Sequence, residues 1–200
     1  MPFGRTTASN ETHGGPMADS EPYPYQLGNY YGGMPIPKVP EHCVGVDAGP
    51  LRFEVESREL TNEILRGHME AGNKVIEDVT FDDYGPSLHV CGAQDGLEHL
   101  RFDCFVKEPH YHYVRHAEGG NLICRIDDIA EGDPIDWTLG RLRHRLPEML
   151  AFAGMGELGE AARHRWSEVA PAIDRVAELL QQSRQMSESQ RAVVVGDRSS

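Results

Sequence analysis

Leu51, Phe53 and Val55 alternate with Arg52, Glu54 and Glu56. A two-residue period predicts a strand with one face buried. Residues 58–71 place Leu60, Ile64, Leu65 and His68 on one side of a predicted helix, which Gly72-Asn73 would end. Residues 74–81 (KVIEDVTF) predict a second strand, residues 82–86 (DDYGP) a turn, and residues 87–92 a third strand. Gln94-Asp95-Gly96 predicts a hairpin turn. The clearest strand spans 99–107, with Leu100, Phe102, Cys104 and Val106 on one face and Arg101, Asp103 and Lys107 on the other. Gly119-Gly120-Asn121 predicts another tight turn before a strand at 122–127. Short spacings with turn residues between them favour antiparallel pairing over crossover units.

The period changes at residue 133. Asp133-Pro134-Ile135-Asp136 is a helix start: an acidic N-cap, proline at the first helical position, then acid in the first turn. Ile135, Leu139, Leu142, Leu146 and Met149 then recur every three or four residues. Pro147 predicts a kink or restart. After Gly154-Met155-Gly156, a second helix carries Ala162, Trp166, Val169, Ile173, Val176 and Leu180, a heptad-like seam interrupted by Pro171. That seam would pack on the sheet or on a second copy. The fold class expected is therefore α+β: an antiparallel sheet of about five strands with one inserted helix, then two C-terminal helices.

The ends of the chain lack this patterning. Residues 1–45 are expected to be an extended or disordered arm, residues 46–183 a single α+β domain, and residues 184–200 a disordered tail. Met17 is a plausible alternative start. Yet the arm carries Tyr23, Tyr25, Tyr30 and Tyr31, with prolines at 22, 24, 35, 37 and 40. Tyrosines provide rigid contact area and prolines keep the backbone extended. Residues 21–40 are thus expected to be a strap that orders on a partner or on a second copy.

Composition narrows the classes. Nineteen basic against thirty-two acidic residues give a net charge of −13, which argues against nucleic-acid partners. No stretch is long and apolar enough for a membrane span, and no secretory leader is evident, so a cytoplasmic location is expected. Arg141, Arg143 and Arg145 concentrate basic charge on one predicted helix, either as a solvated face or as a docking patch for an acidic partner. There is no CxxC, GxSxG, HExxH or phosphate-loop lysine motif.

The chemical feature is residues 107–118, KEPHYHYVRHAE. In a continuous strand His110, His112 and His116 share a face, opposite Tyr111, Tyr113 and Arg115. Imidazoles two apart on a strand can share one cation, with Glu118, His89 or Cys91 completing the site for zinc or iron. The alternatives are half-buried histidines hydrogen-bonded to neighbours, or a metal-free proton relay. Pro109 could bulge the strand and turn the tyrosines inward instead. The His-x-His pair is similar to the first motif of the cupin barrels. The carboxylate of that motif is displaced here to Glu118 and its second motif is missing, so a cupin is not expected. Cys104 and Cys124 are expected in the core, and nothing constrains Cys43.

The stretches HLRFDCFVKEPHYHY and DPIDWTLGRLRHRLPEML resemble an uncharacterised bacterial family, over roughly residues 45–150. That resemblance implies a shared fold and transfers no mechanism. Two functions are expected from the residues. One is a non-catalytic accessory or scaffold subunit that binds a larger complex or self-associates through the arm and the helices. The other is a small metal-dependent protein, perhaps an enzyme, using the histidine cluster.

Overall fold

The computed structural model describes residues 27–71 and 82–197. Its strands are β1 (Asn29–Gly32), β2 (Cys43–Ala48), β3 (Leu51–Thr61), β4 (Asp82–Gly92), β5 (Glu98–Asp103), β6 (His110–Arg115) and β7 (Gly120–Arg125). They form one antiparallel sheet in the order β1-β7-β6-β5-β4-β3-β2. The helices are α1 (Asn62–Ala71), α2 (Asp128–Glu131), α3 (Pro134–Phe152), α4 (Gly156–His164) and α5 (Trp166–Asp197). The α+β class is as expected, with seven strands rather than about five.

Several elements differ from their sequence patterns for identifiable reasons. The expected helix at 58–71 begins only at Asn62, because Ser57–Thr61 pair in register with Asp82–Pro86. The expected turn at 82–86 is therefore strand. Gly85 permits this: its φ is +151°, and an added Cβ would lie 2.5 Å from the Cys104 carbonyl oxygen. The expected strand at 74–81 lies outside the described residues. β5 ends at Asp103, so Val106 leaves the core face and is exposed. A one-turn 3-10 helix at His116–Glu118 takes His116 out of the β6 alternation.

In the helical half, α3 runs through Pro147 without restarting. The expected second helix is split at Arg165 into α4 and α5. Gly154, Gly156 and Gly159 have the GxGxxG spacing of a dinucleotide loop. Here the segment follows a helix rather than a strand, so the phosphate-binding context is missing. Gly159 instead lets α4 approach α3: a Cβ there would sit 2.5 Å from the Pro147 carbonyl oxygen. The tail expected to be disordered extends α5 as far as Asp197. Ser183 and Ser187 are buried, Arg184 forks onto Asp133 at 2.7 and 3.0 Å, and Arg191 pairs with Asp82 and Glu59.

The core lies between one sheet face and the helices. Leu51, Phe53, Leu88, Val90, Leu100 and Phe102 meet Ile135, Leu142 and Leu146 of α3 and Val169, Ile173, Val176 and Leu180 of α5. The heptad-like seam therefore packs on the chain's own sheet. Cys104 and Cys124 are buried in this core, and all four cysteines are free.

The opposite sheet face is polar, and it too is buried. Residues 33–39 cross it from β7 to β3. That crossing is four strand spacings, ~19 Å, and six extended residue steps cover ~20 Å. The prolines at 35 and 37 keep the backbone extended, which suits a strap without its own ladder. The strap is held by backbone groups. Asn121 Nδ2 donates to Gly33 O (2.9 Å), Arg101 Nη1 and Arg58 Nη2 donate to Ile36 O (2.8 and 3.0 Å), and Val39 N donates to Glu56 Oε1 (2.9 Å). Lys38 pairs with Glu54. The part of the arm expected to order on a partner, from residue 33 onward, thus orders on this chain. Tyr30 and Tyr31 lie half-exposed on β1, while Tyr23 and Tyr25 lie outside the described residues.

Candidate metal centre

Strand register assembles the site. Ser87 of β4, Asp103 of β5 and His110 of β6 oppose one another in one cross-strand row. His89, Arg101 and His112 form the adjacent row. Opposed residues of an antiparallel sheet share a face, so all six side chains project beneath or beside the strap. The tyrosines of the β6 motif take the other face: Tyr111 and Tyr113 join the core.

Among the described residues, Asp103, His110 and His112 form a group whose potential ligand atoms all lie within 4.8 Å of one another. His110 Nε2 is 3.2 Å and His112 Nε2 is 3.1 Å from Asp103 Oδ2. With ion–ligand distances of ~2.0–2.1 Å, donors around a single ion sit roughly 3–3.4 Å apart, so these separations fit a shared cation. Asp103 Oδ1 accepts from Ser87 Oγ at 2.5 Å, which orients the carboxylate.

The tautomers follow from the partners. His110 Nδ1 lies 2.7 Å from Glu108 O, a carbonyl that can only accept, so Nδ1 carries the hydrogen. Asn121 Nδ2 donates to Gly33 O, which turns Asn121 Oδ1 toward His112 Nδ1 at 2.9 Å. His112 Nδ1 therefore also carries its hydrogen. Both rings present Nε2 to Asp103, with the far nitrogen donating to an oxygen, the arrangement seen in metal-ligating histidines.

The electrostatics sharpen this. Burial opposes charging of His110, but its bonds to Asp103 hold its pKa above the ordinary value. For His112 burial prevails and the pKa is lowered. Burial alone would raise the pKa of Asp103, yet the two histidines hold it well below the usual range. A neutral His112 then directs an Nε2 lone pair at a carboxylate oxygen 3.1 Å away. A cation between them turns that repulsion into coordination.

The other expected ligands are elsewhere. His116 Nε2 bonds Glu98 O at 2.8 Å and its ring meets His99 edge-on. Glu118 is exposed and paired with Arg115 at 3.1 Å. His89 is fully buried between Glu98 Oε1 (2.6 Å) and Glu56 Oε2 (3.1 Å), so both nitrogens face carboxylates. Burial pushes the Cys91 thiol up to about 11, leaving it neutral beside Lys38 and Glu54. Of the six expected ligands, only His110 and His112 converge, and they converge on Asp103, which the spacing of the histidines does not point to. Its signal was its place on the polar face of the clearest strand, one hairpin before His110.

Of the three expected docking arginines, Arg141 stacks on Trp137 and pairs with Glu131 at 3.4 Å, and Arg143 pairs with Asp174 at 3.0 Å. Arg145 is exposed on the same helix.

The His89 cluster sets a pH dependence for folding. Burial would lower the His89 pKa, but Glu56 and Glu98 raise it above the ordinary 6.5. Its stabilisation is complete below pH 6.5 and is lost as pH rises through the folded value. Burial would raise Glu56 and Glu98, but His89, Arg58 and Arg101 hold both below the ordinary 4.5. Their stabilisation is complete above pH 4.5 and is lost as pH falls through the folded values. Urea unfolding of the metal-free protein should show maximal stability between these limits, and a His89→Leu variant should show a smaller decline above pH 6.5, the remainder belonging to His110, whose pKa is raised as well.

No helix of the described residues is long and apolar enough to cross a membrane. No curated protein and no solved structure matches the chain. A family model described as a domain of unknown function (DUF7700) matches residues 45–180. That span contains β3 to β7, the candidate centre, α3, α4 and the packed part of α5, and the chain belongs to the DUF7700 family.

Proposed function

We propose that this chain is a metal-binding protein in which Asp103, His110 and His112 hold one zinc or ferrous ion. The observation that carries the reading is the convergence of two Nε2 atoms on one carboxylate oxygen, with both Nδ1 hydrogens already committed to oxygen acceptors. Two imidazoles and a carboxylate suit either ion and leave coordination positions for a ligand or water. When bound, such an ion would act as a Lewis acid toward that ligand. The chain's own contribution is to fix the donors: Ser87 and Asn121 orient Asp103 and His112, and the strap roofs the neighbouring polar face.

The accessory-subunit reading draws on the arm and the helical seam. Residues 33–39 and the seam are both engaged within the chain.

The test is elemental analysis of protein produced without an affinity tag, followed by zinc titration in a calorimeter. About one ion per chain is expected, lost in a His110→Ala/His112→Ala variant. A metal-free protein that also takes up no zinc, or bound metal unchanged by the double substitution, would overturn the reading.

A further inference from the structure

The row Ser87–Asp103–His110 has a fourth member. Arg125 of β7 directly opposes His110 on β6. Opposed residues share a face with Cβ atoms ~4.5–5.5 Å apart, so Arg125 stands beside His110 on the side away from Asp103. β1 pairs with β7 only along Gly120–Ile123 and stops short of Arg125. Arg125 is exposed, and among the described residues no carboxylate lies within ion-pairing distance of it. In a chain with thirty-two acidic and nineteen basic residues, a guanidinium without a carboxylate beside such a cluster is unexpected.

The residue that Arg125 opposes is also the most exposed of the three. The His110 side chain is 16% exposed, against 6% for His112 and 4% for Asp103. The buried Phe105 ring meets His110 edge-on at 5.7 Å and walls another side. The other nearby arginine is committed: Arg101 forks onto Glu98 and donates to Ile36 O. Of the three candidate ligands His110 is thus the one that solvent reaches most, and Arg125 is its exposed cross-strand neighbour.

We infer that the ion held by Asp103, His110 and His112 takes a small oxyanion as its ligand or substrate, a carboxylate or a phosphate, with Arg125 gripping its outer oxygens. The inference rests on the metal reading above. A divalent ion and Arg125 bring three positive charges against the single charge of Asp103, so the open side attracts an anion. A guanidinium presents paired donors that match two oxygens of a carboxylate or phosphate, which a lysine cannot reproduce.

The experiment uses full-length protein loaded with cobalt(II), whose visible bands report the donors around it. Acetate and methylphosphonate are titrated separately, with chloride as the comparison. At least one oxyanion should shift the bands saturably, and the responding arm tells carboxylate from phosphate chemistry. Arg125→Gln should weaken that anion about tenfold or more, the loss expected for a charge-assisted contact, while leaving cobalt affinity unchanged. Arg125→Lys should fall between. If neither oxyanion shifts the bands, or if Arg125→Gln binds both as the parent does, the inference is wrong while the centre stands. If cobalt gives no bound spectrum at all, the centre fails and the inference with it.

Discussion

An Arg101→Leu variant is expected to lose about 3–5 kcal/mol of unfolding free energy, the scale of breaking a buried ion pair from one side. Arg101 is 2% exposed. Its Nε and Nη2 each lie 2.7 Å from a Glu98 oxygen, and its Nη1 is 2.8 Å from Ile36 O. Burial disfavours the charged guanidinium, but Glu98, Asp103 and Glu56 keep it protonated. Leucine would leave the carboxylate of Glu98, 16% exposed, with His89 as its one side-chain partner among the described residues. Ile36 O would keep Arg58 Nη2, at 3.0 Å, as its remaining partner from the sheet. The strap should therefore loosen before the sheet does. Urea denaturation measures the first effect, and faster proteolysis within residues 33–39 reports the second. Adding Glu98→Leu should restore part of the loss, because removing both charges costs less than stranding one. A loss under about 1 kcal/mol would mean that the polar face is hydrated and the strap does not seal it.

Asp103→Asn should lower zinc affinity by at least about a hundredfold, since even partners one shell out from a metal contribute 10–100-fold. Asparagine preserves the shape of the side chain and can still accept from Ser87, so the substitution removes charge and little else. The readout that separates a ligand from a structural carboxylate is linkage. At a zinc concentration of about 100 times Kd, the parent protein should gain about 2.7 kcal/mol of stability. The variant should gain almost nothing at the same concentration. Equal stabilisation of both proteins by zinc would place the ion elsewhere.

Much of this was legible along the chain. The two-residue period in 51–56 and 99–103 and the Asp133-Pro134 cap mark strands and helix where the fold has them. The alternation around residue 110 correctly paired His110 with His112 and opposed them to Tyr111 and Tyr113, so Pro109 did not invert the phase. Local pattern misleads where long-range pairing overrides it. DDYGP reads as a turn, yet Asp82–Pro86 extend a strand, because β3 supplies the partners and Gly85 supplies the conformation. Ser187 reads as a tail residue, yet it is buried against β3, where it meets Ser57 at 3.0 Å.

The candidate site shows the same division. Sequence by itself determined that Glu54, Glu56, His89, Arg101, Asp103, His110 and His112 lie on polar faces of their strands, since alternation assigns each residue a face. Only the tertiary structure decided that these faces form one continuous surface, that Asp103 rather than His116 or Glu118 stands against the histidine pair, and that residues 33–39 roof part of it. The reason is physical. A polar face bathed in water and a polar face sealed under a strap obey the same two-residue period, and which side chains meet across strands is set by register between residues far apart in the chain.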